Sequence, residues 1–394
     1  MAEQDIYGGR LATGPVSVPH PQSSGAEQDL YSSRFSSSYD KARERFPTAA
    51  AAQGARGSGA GAEQELYGSH FTGSGATSTL GLLQATALPS FTLHAGFSAI
   101  AYGISRYTDR AEGKDWLWPA GMTANAWWSA LGARVLHDGL SVPDAWSSLS
   151  YSEKLLLGGV TAWGSRLFYR IATRGIARKE DDPRYAAVKK EPGFWNKAFF
   201  TMFVPEAVVQ TLISLPFTLP FRAPVESLRA SPMSGADSRG CFHTLAVFLF
   251  SAGFAMEVLA DMRLAAHKKK GDVGVCRDGV WSVVRHPNYL GDTLIHASFP
   301  ILLLGAGLFH PLAAVGPIAN YIFLRFIGGD RENEQTQEER YKTEDPLKAA
   351  EFGEYRNQKN SFWPSVKEAC NKWSWVVVGA GAAGVVLERA VRSI

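Results

Sequence analysis

Long segments with few charged residues are the feature that most constrains the fold of this chain. An α-helix rises about 1.5 Å per residue, so roughly 20 apolar residues are needed to cross the hydrocarbon core of a bilayer. Residues 80–105 and 116–133 contain no Asp, Glu, Lys or Arg. Further membrane-crossing helices are indicated at residues 155–171, 198–221, 241–264 and 289–326. The last of these segments is long enough for two helices. The sequence therefore predicts an all-α, polytopic membrane helix bundle of about seven or eight helices.

Residues 1–78 differ from the rest, because they are rich in Gly, Ser, Ala and Gln and contain few large apolar side chains. Such a segment cannot bury a core, so a disordered tail is predicted. A short unit of the type Ala-Glu-Gln-Asp-Leu-Tyr begins at Ala2, Ala26 and Ala62. The three repeats are either duplicated disordered sequence or docking sites for protein partners.

The membrane domain is predicted at residues 79–366, followed at residues 367–394 by a small-residue helix that spans the membrane or lies at its interface.

Composition excludes several other classes of protein. The formal net charge of +3 is too small to indicate a nucleic-acid-binding surface. The cysteines at positions 241, 276 and 370 are far apart, so their spacing indicates neither a metal site nor a disulfide framework. The N-terminal sequence has neither a signal-peptide pattern nor a mitochondrial presequence pattern. Insertion through internal helices is therefore expected, which favours the endoplasmic reticulum.

Residues 376–384 match the dinucleotide-binding pattern G-x-G-x-x-G after an apolar run. That fingerprint requires a βαβ unit of about 30 residues with an acidic residue about 20 positions further on. Too few residues follow this segment to provide either. We therefore interpret it as part of the C-terminal helix.

Polar side chains inside the predicted spans are candidates for function, because an unpaired charge within a bilayer costs several kcal/mol. These side chains are Glu206, Gln210, Glu257, Asp261, Asp292 and His296. The alternative for each of them is a hydrogen bond that only joins two helices.

The segment Arg285-His286-Pro287-Asn288-Tyr289 lies where a basic loop enters a predicted helix. Pro287 suits the first helical turn, where Arg285 and exposed backbone N–H groups would face an anion. The loops at residues 174–197 and 263–285 are the most basic, and both are predicted to be cytoplasmic. A phosphate site at that membrane surface is therefore predicted. A second charged group follows the hairpin, at Arg325, Asp330, Arg331, Glu332 and Glu334.

The run from Gly279 to Asp292 resembles the signature of the steroid reductase superfamily, G-x-W-x-x-x-R-H-P-N-Y-x-G-[DE]. Variants of it occur in steroid 5α-reductases, DUF1295 proteins, Δ14-sterol reductases and isoprenylcysteine carboxyl methyltransferases. Segments 180–185, 257–261 and 352–364 also resemble family elements, so the resemblance spans roughly residues 165–366. The element order looks closest to DUF1295. Two departures are Met262, where the family usually has Gln, and the lengthened segment at residues 335–350.

This resemblance implies an integral membrane oxidoreductase that uses NADPH to reduce a C=C bond in a steroid-like or other lipid enone. The cofactor would supply the hydride, and the protein would position it and provide a proton. By resemblance, the residues expected to hold the cofactor are Arg285, His286, Asn288, Tyr289, Asp292, Glu257, Asp261, Arg331 and Tyr355. Glu206 and Tyr289 are the expected catalytic residues, with the pKa of Glu206 raised by burial. No metal is expected.

Two other functions stay open. Isoprenylcysteine methyltransferases share the Arg-His-Pro signature and bind S-adenosylmethionine, so methyl transfer to a lipid or prenylated substrate is the main alternative. A membrane scaffold without activity, recruiting partners through its N-terminal repeats, is the second.

Overall fold

The computed structural model describes residues 79–178, 181–182, 185, 188–223, 228, 238–271 and 274–393. The tail at residues 1–78 and its three repeats lie outside the described residues, so their predicted disorder and docking role stay predictions. Within the described ranges the chain forms helices and no strands. The predicted all-α helix bundle is therefore confirmed, and the G-x-G-x-x-G segment is helical, as expected.

The α-helices run in chain order from the end of the tail to the C-terminus, with short 3-10 and π segments between some of them. Their bounds are α1 Thr79–Thr108, α2 Gly113–Trp127, α3 Ala133–His137, α4 Val142–Ser147, α5 Tyr151–Arg178, α6 Phe194–Ala198, α7 Val204–Ile213, α8 Leu215–Arg222, α9 Arg239–Lys269, α10 Pro287–Ala306, α11 Val315–Ile322, α12 Asp330–Glu344, α13 Pro346–Gln358 and α14 Lys372–Arg392.

Several of these helices are long and apolar enough to cross a membrane. Within the described residues four segments qualify by length and composition, namely Arg239–Lys269, Pro287–Ala306, Pro311–Thr343 and Lys372–Arg392. The pair Phe194–Ile213 and Leu215–Arg222 makes a fifth if its bend of 59° lies within one span. Helices α1 and α5 have sufficient length, with 30 and 28 residues, but neither contains an 18-residue stretch that meets the same criterion. The chain is thus an integral membrane protein. Among the described residues, length and composition support four or five membrane-crossing helices, and the total of seven or eight stays a prediction.

The predicted hairpin at residues 289–326 is present. Helix α10 ends at Gly307, which has φ of +68° and closes the helix in the left-handed conformation that glycine adopts without strain. His310 then accepts a hydrogen bond from the backbone N–H of Leu312, and Pro311 begins the returning segment. The break near Pro311 therefore lies where the sequence placed it.

Helices α9 and α10 pack antiparallel at very short range. A Cβ added to Gly253 would lie 2.5 Å from the backbone oxygen of Gly291, and one added to Gly291 would lie 2.6 Å from that of Gly253. Further along the same crossing, a Cβ on Gly305 would lie 2.7 Å from the backbone nitrogen of His243. Small residues at these positions allow the backbones to approach, as is common between membrane helices.

Replacing Gly253 by Leu is expected to force α9 and α10 apart, because a backbone oxygen cannot move aside as a flexible side chain can. Overpacking of this kind typically costs about 1 to 3 kcal/mol, and we expect the upper end here. The measurement is thermal unfolding in detergent, with Gly103→Ala in α1 as the control, since nothing lies within 4 Å of a Cβ there. Equal melting temperatures for the two variants would contradict the close crossing.

Helices α5 and α9 run parallel, which sets the sides of the bundle. A Cβ on Gly159 of α5 would contact Phe250 of α9 at 3.3 Å, and seven residues later Arg166 pairs with Glu257 at 2.9 Å. Both helices therefore end at the same membrane surface. The two basic loops that follow them lie on one side, as the prediction of two cytoplasmic loops requires.

Candidate functional site

Glu334 of α12 joins the two residues that begin the predicted cofactor segment. Its carboxylate accepts two hydrogen bonds from the Arg285 guanidinium, at 2.8 and 3.0 Å, and lies 2.9 Å from Nε2 of His286. All three side chains are at most 10% exposed. Burial lowers the pKa of the His286 imidazole, so the neutral form that donates Nε2–H to Glu334 is favoured. We refer to Arg285, His286 and Glu334 as the head cluster.

Two backbone N–H groups of the head cluster are occupied by the segment that follows α13. The N–H of Arg285 donates to the carbonyl of Asn360, and that of His286 donates to Ser361, each at 3.0 Å. The Arg285 guanidinium also donates to the carbonyls of Arg356 and Lys359. The N–H groups of Arg285 and His286 are therefore not available to an anion, and an anion site at the exposed N–H groups of the first turn of α10 stays a prediction.

Tyr289 and Asn288 follow on the first turn of α10. The Tyr289 ring stacks on His286 at 5.3 Å between ring centroids, and its hydroxyl accepts a hydrogen bond from Asn333 at 3.2 Å. The side-chain oxygen of Asn288 is buried and has no hydrogen-bond partner among the described residues. A buried acceptor without a donor is costly, so Asn288 is suited to bind a donor group of a ligand or water.

Tyr355 is buried and holds the loop that precedes the head cluster. Its hydroxyl donates to the backbone carbonyls of Trp281 and Val284. Burial raises the pKa of the phenol, which keeps it a donor at neutral pH. Arg277 stacks over its ring at 5.4 Å. Tyr355 thus fixes the loop that precedes the head cluster.

A cavity of about 290 Å³ opens beside the head cluster. Its walls include three guanidinium groups, two carboxylates, a phenyl ring and a hydroxyl, from Arg285, Arg325, Arg331, Asp330, Glu334, Phe326 and Ser361. The Arg325 guanidinium binds Asp330 and also donates to the Ser361 hydroxyl at 3.0 Å. Arg331 is exposed and has no ion-pair partner in the part of the chain that is described. This volume lies at the low end for small-molecule sites, so it suits one end of a larger ligand.

Asp292 lies deeper in the bundle, one and a half turns along α10 from the head cluster. It is 5% exposed and accepts hydrogen bonds from the Trp163 indole at 2.7 Å and from the Asn320 amide at 2.8 Å. His296 is fully buried, 3.8 Å from Asp292, and neither of its ring nitrogens has a hydrogen-bond partner among the described residues. Asp292 therefore ties α5, α10 and α11 together.

Glu257 and Asp261 form a second ionic group against the same face of α10. Arg166 of α5 pairs with Glu257 at 2.9 Å and with Asp261 at 2.7 Å, and Arg170 adds a contact to Asp261 at 3.4 Å. The other oxygen of Glu257 is buried without a partner in the described residues. Arg166 thus lies within the bundle, paired with both carboxylates.

Glu206 lies in a separate group. Lys114 of α2 pairs with its carboxylate at 2.9 Å, and Gln210 donates to its other oxygen at 3.1 Å. An adjacent ammonium favours the ionised carboxylate, whereas the expected acid role requires a proton on Glu206. None of the described contacts joins Glu206 to Tyr289. Their joint catalytic role stays a prediction.

The structure groups most of the predicted residues without testing their roles. Arg285 and Arg331 line the cavity, whereas His286 contacts Glu334 of its wall and stacks on Tyr289. Glu257 and Asp261 share Arg166, and Asp292 lies further along α10. The sequence reading missed Trp163 and Asn320 as partners of Asp292. Asn320 could have been found, since an amide within an apolar segment is itself a signal. Trp163 gives no such signal, because tryptophan is common in membrane helices.

A bundle of membrane-crossing helices with buried ionic groups and a charged cavity at one surface defines an integral membrane protein with a candidate ligand site. A family model described as "Protein of unknown function (DUF1295)" matches residues 101–358. The chain belongs to the DUF1295 family. The match begins earlier than the resemblance at residues 165–366 and so includes α2 and part of α1. Comparisons with curated proteins and with solved structures gave no match.

Proposed function

We propose that this protein is an NADPH-dependent reductase that saturates a C=C bond in a steroid-like or other lipid enone. The observation that carries the proposal is the cavity of three guanidinium groups beside the Arg-His-Pro-Asn-Tyr segment. Guanidinium groups are the preferred partners of phosphate oxygens. The resemblance to steroid reductases adds the reaction type, and the membrane bundle fits a lipid substrate. We expect the membrane to be that of the endoplasmic reticulum.

The residues present fit the phosphate end of a dinucleotide. Arg331 and Arg325 would bind phosphate oxygens, and the Phe326 ring offers a surface for a purine base. The unpartnered oxygen of Asn288 would accept a hydrogen bond from an amide or hydroxyl of the cofactor. The cofactor supplies a hydride when bound. The remaining contributions are the protein's own, since the buried helices exclude water and hold the lipid in place.

Arg285 has a different role from Arg331 in this proposal. Its donors are bound to Glu334 and to two backbone carbonyls, so it holds the mouth of the cavity together. Arg331 has no ion-pair partner among the described residues, and its guanidinium is therefore available to an anion. Arg331 is the better residue with which to test cofactor binding, because it is exposed and its replacement is expected to leave the fold intact.

Methyl transfer is the second candidate function, because the cavity walls carry both positively and negatively charged side chains. The carboxylates of Asp330 and Glu334 beside the arginines would suit the zwitterionic amino-acid end of S-adenosylmethionine. Both carboxylates are, however, already bound to arginines. The phosphate interpretation needs only the available Arg331, which is why we place it first.

Turnover of deuterated cofactor tests the reductase directly. The purified protein in lipid nanodiscs is incubated with NADPH carrying deuterium at the transferable position and with a panel of steroid and long-chain enones. We expect deuterium in a saturated product, and a rise in the apparent KM for NADPH in Arg331→Ala while KM for the enone is unchanged. Lys367→Ala, on an exposed residue outside the cavity, is the control. Methylated product from S-adenosylmethionine, or no deuterium transfer to any enone, would count against the proposal.

A further inference from the structure

A row of buried polar side chains runs along one face of α1, away from the cavity. Its members on α1 are at most 2% exposed and recur mainly at intervals of one turn, at Thr86, Ser90, His94, Ser98 and Ser105. Opposite them lie buried polar groups of α2, α7 and the α7–α8 junction, namely Asn125, Glu206, Gln210 and Ser214. We call this set the polar seam. Positions 86 and 105 are about 28 Å apart along a helix axis, comparable with the hydrocarbon thickness of a bilayer.

His94 occupies the middle of the polar seam. Its Nε2 atom lies 3.3 Å from the Ser214 hydroxyl and 3.2 Å from the Asn125 amide nitrogen. Ser214 stands between α7 and α8, where the chain bends by 59°. Broken helices at membrane depth expose backbone groups, and they are tolerated where protein or water satisfies those groups. A polar centre therefore lies at the bend.

One end of the polar seam reaches the membrane surface that carries the basic loops. Gln210 donates to Glu206, and Glu206 pairs with Lys114 at 2.9 Å. Lys114 contacts Asp115 at 3.3 Å, and Asp115 accepts a hydrogen bond from the Tyr185 hydroxyl at 2.7 Å. Ionisable groups thus continue from the bundle interior to the loop that follows α5.

The other end of the polar seam is closed by a cation. Arg222, at the end of α8, donates to the carbonyl of Thr86 at 3.3 Å and to the Ser90 hydroxyl at 3.4 Å. No carboxylate pairs with it among the described residues. A fixed, uncompensated guanidinium raises the energy of any further positive charge beside it, which is how an arginine excludes protons from a pore.

Several polar atoms in the polar seam have unused hydrogen-bonding capacity. The Asn125 side-chain oxygen and the Ser105 hydroxyl are buried without a partner in the described residues. Nδ1 of His94 makes no well-formed hydrogen bond and faces the Gln210 side-chain oxygen, which suits an N–H at this position. A Cβ on Gly121 would lie 3.0 Å from the Gln210 side-chain oxygen and 3.3 Å from this Nδ1, so glycine keeps a side chain out of the gap between them. Buried polar groups of this kind are usually satisfied by ordered water.

We propose that the polar seam is a hydrated proton path that leads from Lys114 to His94 and is closed beyond His94 by Arg222. In neutral His94 the Asn125 amide donates to the Nε2 lone pair, and Nδ1 carries the hydrogen that faces the Gln210 oxygen. A proton donor bound in the bundle protonates Nε2, which gives an imidazolium, and the Nδ1 proton passes to a water molecule that leads to the Lys114 end; the reverse sequence brings a proton in. One N–H bond forms and another breaks, so no electrons are transferred.

A purely structural polar seam is the competing explanation, because hydrogen bonds commonly join membrane helices. That explanation does not account for an unpaired Arg222 at one end and an ion pair at the other. It also predicts that each hydroxyl could be replaced without a change in proton movement. The proposal goes beyond the reductase function and does not depend on it, since a proton path can be measured without cofactor or substrate.

Proton flux into liposomes tests the path. The full chain is reconstituted with a pH-sensitive dye inside, and a potassium diffusion potential drives protons. Wild type is expected to be as tight as protein-free liposomes, because Arg222 closes the path. Arg222→Gln is expected to leak, and Arg222→Gln with His94→Phe is expected to be tight again. Arg222→Gln with Thr92→Ala, on the exposed face of α1, should leak as the single variant does. A tight Arg222→Gln, or a leak that survives His94→Phe, would overturn the proposal.

Deuterium exchange at the His94 ring tests the proposal without the Arg222→Gln variant, which is needed if that variant does not fold. Nitrogen NMR of labelled histidine in lipid bilayers reports exchange at the His94 ring. Rapid exchange in wild type and slow exchange in Gly121→Ala, whose added methyl group fills the gap beside Nδ1, are expected. Slow exchange in wild type, comparable with that of backbone amides in α10, would show that no water reaches His94.

Discussion

Replacing Glu334 by Ala is expected to destabilise the protein by about 3 to 5 kcal/mol, the range typical of removing one partner from a buried ion pair. Glu334 binds Arg285 through two hydrogen bonds and also contacts His286, and all three side chains are almost fully buried. Without the carboxylate, the guanidinium of Arg285 would stay buried with only backbone carbonyls as partners. Glu334 provides the charged contact between α12 and the start of α10, beside the hydrogen bond from Asn333 to Tyr289. Thermal unfolding in detergent measures the effect.

The control for this prediction is Glu332→Ala, two residues earlier on the same helix. Glu332 is exposed, and we expect a change of less than about 0.5 kcal/mol. Glu334→Gln should fall between the two, because an amide keeps one acceptor but loses the charge. If Glu334→Ala unfolded at the same temperature as Glu332→Ala, the head cluster would not hold α10 and α12 together.

Replacing Asp292 by Ala is expected to cost about 2 to 4 kcal/mol, because two buried donors lose a charged acceptor. The Trp163 indole and the Asn320 amide would be left unpaired among apolar side chains. Because these donors come from α5 and α11, their loss should loosen three helices at once. The expected signature is a lower melting temperature together with a change in tryptophan fluorescence from Trp163.

Asp278→Ala is the matched control, since Asp278 is largely exposed and its ion pair with Arg263 lies on the surface. Asp292→Asn tests which property of the residue matters. It keeps an acceptor for Trp163, so it should retain about half of the lost stability. A full loss in Asp292→Asn would show that charge, not hydrogen bonding, stabilises this part of the bundle.

The sequence predicted the helical class and the hairpin correctly because the signals for both are local. Charge-free runs of about 20 residues allow little other than membrane helices. The break near Pro311 follows from the inability of proline to continue a helix. The Glu206–Gln210 hydrogen bond follows from helical spacing alone.

The pairings between distant segments were not available from the sequence. Glu334 was recognisable as a charged residue, but nothing local shows that it binds Arg285, 49 positions earlier. The Lys114–Glu206 pair is equally remote, since nothing local shows that an ammonium lies beside this carboxyl group. Nothing local shows that the backbone N–H groups of Arg285 and His286 donate to Asn360 and Ser361. Local patterns indicate which groups need partners, whereas packing selects the partners.

Cofactor binding by the detergent-purified protein tests the central claim most directly. NADPH, NADH and S-adenosylmethionine are titrated into wild type, Arg331→Ala, Asn288→Ala and the control Lys367→Ala, with folding checked by thermal unfolding. We expect NADPH to bind most tightly, and to bind at least about tenfold more weakly to both cavity variants, a loss of about 1.4 kcal/mol. Preferential binding of S-adenosylmethionine would identify a methyltransferase. Binding of none of the three ligands to folded wild-type protein would contradict the enzyme and favour the scaffold.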